Sequence, residues 1–130
     1  MKILITGGLG HIGSYILQNI NKIKIIKKIY VIDNLSTQRY ASLFDIKNKN
    51  KKIYFIEKDL SEKNALNNFK KVDVVLNLAS ITDAAGSLKI KKKIYKNNLG
   101  IFDNVLKYCK INSSKLIHIS STSVYGEQKG

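Results

Sequence analysis

Several residue types are scarce in this chain of 130 residues, and each scarcity narrows the class of protein. Cys109 is the single cysteine, so an internal disulfide cannot form and one chain cannot supply a cysteine metal cluster. Proline is absent, so no proline-rich linker divides the sequence. Because this length leaves no room for two domains, we expect one compact domain over residues 1–130.

Long apolar runs are also lacking. Lys or Asn interrupts every candidate, and no charged segment followed by an apolar one precedes Ile3. Hydrophobic residues still make up 44% of the chain, which is enough for a packed core. We therefore predict a soluble cytoplasmic protein with no membrane partner.

Acidic residues are few, 9 against 23 basic ones, and the formal net charge is +14. A basic excess is typical of nucleic-acid binding, but Arg39 is the single arginine and base-reading sites favour arginine. The lysine runs are separate and lack interleaved stacking aromatics. We interpret them as solvated faces and predict no nucleic-acid partner. Salt-sensitive binding to nucleic acid is kept as the third hypothesis.

Short β-branched runs alternate with segments of helical periodicity. The predicted strands cover residues 2–6, 29–32, 53–56, 72–79 and 116–120, and the predicted helices cover 12–20, 39–46, 61–69 and 87–110. Strands that alternate with helices pair in parallel through right-handed crossovers, with the expected order 3-2-1-4-5. The sequence therefore predicts an α/β fold with a doubly wound parallel sheet. We expect it to be incomplete at the C-terminus, where no helix follows strand five.

The longest predicted helix carries apolar residues at three- and four-residue steps, which indicates one buried face. The residues predicted to be buried there are Leu88, Ile94, Tyr95, Leu99, Phe102, Val105, Leu106 and Cys109.

Three glycines follow the first predicted strand at a spacing of three residues, Gly7, Gly10 and Gly13. Gly7 permits a tight turn, Gly10 lets the backbone approach a pyrophosphate, and Gly13 lets the following helix pack close to the strand. The amides and the dipole at the start of that helix then favour an anion. The alternative is a tight turn without a ligand.

An acidic residue ends the second predicted strand. Asp33 lies 20 residues beyond Gly13, where a carboxylate accepts hydrogen bonds from ribose hydroxyls and repels a 2′-phosphate. The succession of strand, glycine turn, helix, strand and acid predicts dinucleotide binding, with NAD favoured over NADP. Arg39 keeps NADP open, although a surface arginine is the commoner case.

These residues and several motifs further along resemble the extended short-chain dehydrogenase/reductase family, especially its NAD-dependent nucleotide-sugar epimerases and dehydratases. The resemblance covers the whole chain. The other matching segments are Asp33-Asn34-Leu35-Ser36-Thr37, Asp59-Leu60, Asn77-Leu78-Ala79-Ser80, Asn97-Asn98-Leu99-Gly100 and His118-Ile119-Ser120-Ser121-Thr122-Ser123-Val124-Tyr125-Gly126. It departs at Asn77, where the family often has His, and at Ile101, where Thr is usual.

The resemblance implies a Rossmann-like fold, NAD as cofactor, a nucleotide-sugar substrate and hydride transfer between a sugar carbon and bound NAD. It is also compatible with a homodimer. The implied cofactor-binding residues are Gly7, Gly10, His11, Ile12, Asp33, Asn34, Ser36, Asp59, Leu60, Leu78, Ala79, Ser80 and Asn97. Ser121 is the implied catalytic hydroxyl, and Thr122 and Ser123 are expected to face substrate. Thr82 follows the Asn77 motif and is expected either to face substrate or to cap the next helix. We predict no metal, because His11 and His118 are too few ligands.

The family's catalytic base is a Tyr with a Lys one helical turn later. Tyr125 and Lys129 fit this spacing, but Gly126 and Gly130 oppose a helix here, and the resemblance places the true pair further on. We therefore expect an N-terminal part of such an enzyme, or a truncated product, that is inactive alone. The alternative is a non-catalytic dinucleotide-binding sensor or interaction module, which would have no downstream Tyr-x-x-x-Lys.

Overall fold

The computed structural model describes residues 1–37, 39–44, 52–81 and 88–120. Within them, five parallel strands form one sheet, ordered β3-β2-β1-β4-β5. The strands are β1 (Lys2–Thr6), β2 (Lys28–Asp33), β3 (Lys52–Glu57), β4 (Val74–Asn77) and β5 (Lys115–His118). The predicted α/β class, parallel pairing and strand order are confirmed.

Two helices cover opposite faces of this sheet. They are α1 (His11–Asn19), continued by a 3₁₀ turn at Ile20–Lys22, and α2 (Leu88–Asn112); a further 3₁₀ turn covers Tyr40–Leu43. Side chains of β1 alternate between the faces, so Ile5 packs with Leu17 of α1 while Leu4 packs in the cluster that contains Val105 of α2. None of the helices among the described residues is long and apolar enough to span a membrane.

The fourth and fifth strands are shorter than the sequence predicts. β4 ends at Asn77, and the Leu78 amide then donates to the Thr6 carbonyl at 3.1 Å as the chain leaves the sheet. Val72 is fully buried but precedes the strand. The continuous apolar run over residues 72–79 therefore indicates burial at Val72, and not that all of its residues belong to the strand.

The predicted helix over residues 61–69 is wrong, because the chain there forms a series of turns. Asn64 and Asn68 have φ of 60° and 59°, in the left-handed region that ends an α-helix. Leu66 is nevertheless buried, and Phe69 packs against the same cluster as predicted. The buried positions were thus predictable from the sequence. The two left-handed conformations were not, because asparagine rather than glycine occupies both positions.

The left-handed conformation of Asn68 gives a stability prediction. Replacing Asn68 with Ala is expected to lower the free energy of unfolding by about 1 kcal/mol, because a Cβ without a local polar group disfavours φ near 59°. Asn68→Gly is the matched control and should be neutral or stabilising. Urea denaturation of the three proteins measures this, and equal losses in both variants would contradict it.

The buried face of α2 differs from the prediction. Val105 and Cys109 are buried as predicted, but Tyr95 and Leu99 are 70% and 45% exposed. Ile101 and Tyr108, which were not in the predicted set, are buried. The 25 residues of α2 span about 38 Å at 1.5 Å per residue. The four residues of β5 span only about 13 Å. α2 is therefore much longer than the strand beside it, and Tyr95 and Leu99 in its first half are left exposed.

Candidate functional site

A cleft opens at the carboxyl edge of the sheet, where the segments after four strands converge. It lies where the strand order reverses between β1 and β4, the position at which open α/β sheets bind ligands. The residues that line it are Gly7, Gly10, Ile32, Asp33, Asn34, Ser36, Thr37, Lys58, Asp59, Leu60, Leu78, Ala79, Ser80, Ile81 and Ile101. Most of the residues expected to bind a dinucleotide are thus brought together at one edge.

The glycine turn after β1 forms one wall of the cleft. Gly7 has φ of +62°, which confirms the predicted tight turn, and a Cβ added to it would lie 2.7 Å from the Ala79 backbone. At Gly13, where the prediction named contact with the strand, the atoms nearest to an added Cβ belong to the Gly8 backbone in the turn. A Cβ there would lie 2.5 Å from the carbonyl oxygen of Gly8. Gly10 begins α1 without any side-chain cap. The first amides of α1 are therefore available to an anion.

Asp33 stands at the end of β2 and orders the backbone on both sides of the cleft. Its Oδ2 accepts the Leu9 amide and its Oδ1 accepts the Leu35 amide, each at 3.0 Å. A carboxylate oxygen accepts two hydrogen bonds, so each retains one for a ligand hydroxyl. Asp33 therefore links the glycine turn to the loop after β2 and can still bind a ribose.

Asp59 occupies the corresponding place after β3. Its Oδ1 accepts the amide and hydroxyl of Ser61 at 2.8 and 2.7 Å, and its Oδ2 accepts the Asn34 side-chain amide at 3.4 Å. Desolvation by burial pushes the pKa of Asp59 upward, but these hydrogen bonds from Ser61 and Asn34 outweigh it and hold the pKa below the ordinary 3.8. The carboxylate is thus charged at neutral pH.

A pH dependence follows from this lowered pKa. A depressed folded-state pKa contributes stability above the unfolded value, and that contribution is lost as the pH falls through the folded value. We expect the Asp59 carboxyl to titrate below 3.8 by NMR. The stability difference between wild type and Asp59→Asn should shrink below that pH. A midpoint at or above 3.8 would contradict the hydrogen-bonded geometry.

Three residues expected at the cofactor lie outside the cleft lining. His11 and Ile12 are exposed on the first turn of α1, and the Nδ1 atom of His11 lies 2.9 Å from the guanidinium of Arg39. Arg39 is half-buried, not the exposed surface arginine of the sequence interpretation. The buried Oδ1 atom of Asn97 has no hydrogen-bond partner among the described residues.

Asn98, the neighbour of Asn97, makes a contact that the sequence does not predict. Asn98 accepts the Ile81 amide at 2.8 Å and donates to the Ile81 carbonyl at 2.9 Å, which fixes the segment after β4 to α2. The cleft-lining residues that sequence reasoning missed are Ile32, Thr37, Lys58, Ile81 and Ile101. Two of them, Ile32 and Lys58, directly precede the predicted acidic residues Asp33 and Asp59.

The expected substrate and catalytic residues Thr82, Ser121, Thr122 and Ser123, with Tyr125 and Lys129, lie outside the described residues. Over the described ranges, His, Cys, Asp and Glu side chains form no group of three that could hold a metal ion.

Comparison with known proteins places this chain in a family. The model of the NAD dependent epimerase/dehydratase family matches residues 3–130. UDP-glucose 4-epimerase of Yersinia enterocolitica is 32% identical over 98% of this chain and 39% of its own length. dTDP-D-glucose 4,6-dehydratase of Dictyostelium discoideum is 32% identical over 96% of this chain and 30% of its own length.

Solved structures agree. UDP-glucuronic acid 4-epimerase from Bacillus cereus, in complex with NAD, superposes with a TM-score of 0.80 and 32% identity. The match covers all of this chain and 43% of that protein. The chain therefore spans about two fifths of that enzyme and of the Yersinia epimerase.

The cleft fits NAD on its own geometry. The glycine turn leaves no room for a side chain beside Ala79, the start of α1 is uncapped, and Asp33 has free acceptor capacity at the end of β2. These are the features that a pyrophosphate and a ribose require of this fold. The chain belongs to the NAD dependent epimerase/dehydratase family.

Proposed function

We propose that this chain is the cofactor-holding part of an enzyme that epimerises or dehydrates a nucleotide sugar. The observation that carries the proposal is the convergence of Gly7, Gly10, Asp33 and Asp59 on one cleft at the sheet's carboxyl edge. When bound, NAD supplies a hydride acceptor that later returns the hydride to the sugar. The residues of this chain bind the cofactor and orient it.

Each part of the cleft has a distinct task in this proposal. The amides at the start of α1, beside Gly10, bind the pyrophosphate. Asp33 accepts hydrogen bonds from the hydroxyls of the adenosine ribose, and Asp59 accepts a hydrogen bond from the exocyclic amine of the adenine. Leu78 and Ala79, which follow β4, enclose the middle of the cleft on the side away from Asp33.

The substrate side of the proposal rests on the family resemblance. Ser121 hydrogen-bonds the reacting sugar hydroxyl, and Thr82, Thr122 and Ser123 line the sugar pocket. The 130 residues alone bind NAD without converting a sugar nucleotide, since they span about two fifths of the relatives' length. Formation of product from UDP-glucose or dTDP-glucose by the purified chain with NAD would overturn this part.

The binding part is tested by calorimetry on wild type and Gly10→Ala. A Cβ at Gly10 would lie 3.3 Å from the Gly7 carbonyl, which the fold tolerates with a small shift, but it would project where the pyrophosphate must approach. Losing charge-assisted hydrogen bonds to a phosphate costs about 1.5–3 kcal/mol, so NAD affinity should fall roughly 10- to 100-fold. Unchanged affinity in a folded variant would refute the proposed phosphate site.

A further inference from the structure

Three polar residues form a row across the sheet beside the cofactor cleft. Thr6, Asn77 and His118 are the last residues of β1, β4 and β5, and Asn77 is the register partner of the other two. Alternation along each strand places them on the face of Leu4, Val75 and Leu116, the face that α2 covers. An apolar face is thus interrupted at its carboxyl edge by a polar row.

The row is connected by hydrogen bonds from end to end. The Ala79 amide donates to Thr6 Oγ1 at 3.3 Å, and Thr6 Oγ1 donates to Asn77 Oδ1 at 2.5 Å. Asn77 Nδ2 lies 3.0 Å from His118 Nδ1. The reversed orientation of the Asn77 amide would leave the Thr6 hydroxyl proton without an acceptor in this row, so Oδ1 faces Thr6.

This orientation of the Asn77 amide determines the tautomer of His118. Since Asn77 Nδ2 is a donor only, His118 Nδ1 must carry a lone pair, and the ring proton sits on Nε2. Thr6 is 0% exposed and Asn77 is 2% exposed, so neither can exchange its partner for bulk water without cost. His118 itself is exposed, with its ring centroid 4.9 Å from that of Phe102 on α2.

The row ends at the cleft. The Ala79 backbone that donates to Thr6 lies against Gly7, where a Cβ would meet it at 2.7 Å, and both residues line the cleft. We propose that Asn77 and His118 are positioning residues for the cofactor: they hold the Thr6 hydroxyl, and through it Ala79, in the place that keeps the cleft open beside Gly7. This role rests on the proposed NAD site.

The test compares NAD affinity in four purified chains. His118→Phe removes the acceptor at an exposed site without touching the cleft, and His118→Gln restores a side-chain acceptor. One neutral hydrogen bond corresponds to a threefold to tenfold effect, roughly. We expect His118→Phe to weaken NAD by that factor and His118→Gln to recover most of it. Asn112→Ala, which removes an amide bonded to the Tyr108 carbonyl on the last turn of α2, is the control and should match wild type.

A second measurement does not depend on NAD. Nitrogen NMR of the ligand-free chain, at a pH where the imidazole is neutral, should show His118 Nδ1 unprotonated and Nε2 protonated. Asn77→Leu should reduce this preference to the smaller excess of the Nε2–H form that an unbonded imidazole shows. A wild-type His118 with its proton on Nδ1 would overturn the row. Equal NAD affinities in wild type and His118→Phe would overturn the positioning role alone, whereas a folded wild type that binds no NAD would refute the proposed function itself.

Discussion

The Gly13→Ala variant is expected to lose about 3 kcal/mol of unfolding free energy, because overpacking against atoms that cannot move aside costs this much. The added Cβ would lie 2.5 Å from the Gly8 carbonyl oxygen and 2.6 Å from its Cα, and both atoms belong to the backbone of the turn. The turn or the start of α1 must therefore shift. Urea denaturation with far-UV circular dichroism measures the loss.

Gly10→Ala is the matched control for this prediction. Its Cβ would meet only the Gly7 carbonyl, at 3.3 Å, so its stability should stay within about 1 kcal/mol of wild type. The two variants then distinguish Gly13, which the fold requires, from Gly10, which ligand binding requires. Equal stability of Gly13→Ala and wild type would show that the turn and α1 do not approach as closely as described.

The Asp33→Asn variant is expected to weaken NAD binding roughly 10- to 100-fold, because hydrogen bonds to a charged acceptor are worth about 1.5–3 kcal/mol. The substituted side chain keeps one carbonyl oxygen, which can accept either the Leu9 or the Leu35 backbone amide. Its NH₂ group, a donor only, then faces the other backbone amide. The ribose acceptor and the ordered backbone are thus both weakened. Calorimetry measures the affinity.

A second aspartate controls for loss of a carboxylate as such. Asp73 also accepts a backbone amide, that of Lys2, at 2.6 Å, but it lies at the amino edge of the sheet, away from the cleft. Asp73→Asn should bind NAD as wild type does. A similar loss of affinity in both variants would mean that general destabilisation, not the ribose contact, explains the effect of Asp33.

Strand positions and order were predictable because a parallel sheet buried on both faces leaves continuous β-branched runs, as in β1 and β2. Gly7 and Asp33 followed from the same regularity, since Gly7 comes just after β1, Asp33 ends β2, and parallel strands bring those ends to one edge. Asp59 was expected only from the family resemblance. Local pattern and topology therefore sufficed for the glycine turn and for Asp33.

What the sequence did not reveal depends on contacts between distant segments. The turns at Asn64 and Asn68 oppose a helix through two left-handed residues. Asparagine adopts this conformation more readily than most residues but also occurs in helices, so its propensity does not decide the choice. The row of Thr6, Asn77 and His118 needs three strands in register, and none of the three residues indicates it alone. The exposure of Tyr95 reflects the length of α2 against a short strand, a property of the assembled fold.

The most direct test is a parallel calorimetric titration of the folded 130-residue chain with NAD and with NADP. Saturable binding of NAD at one site, and weaker binding of NADP because Asp33 repels a 2′-phosphate, is the predicted result. A folded chain that binds neither dinucleotide, or that binds NADP more tightly, would contradict the assignment of the cleft at the carboxyl edge as an NAD site.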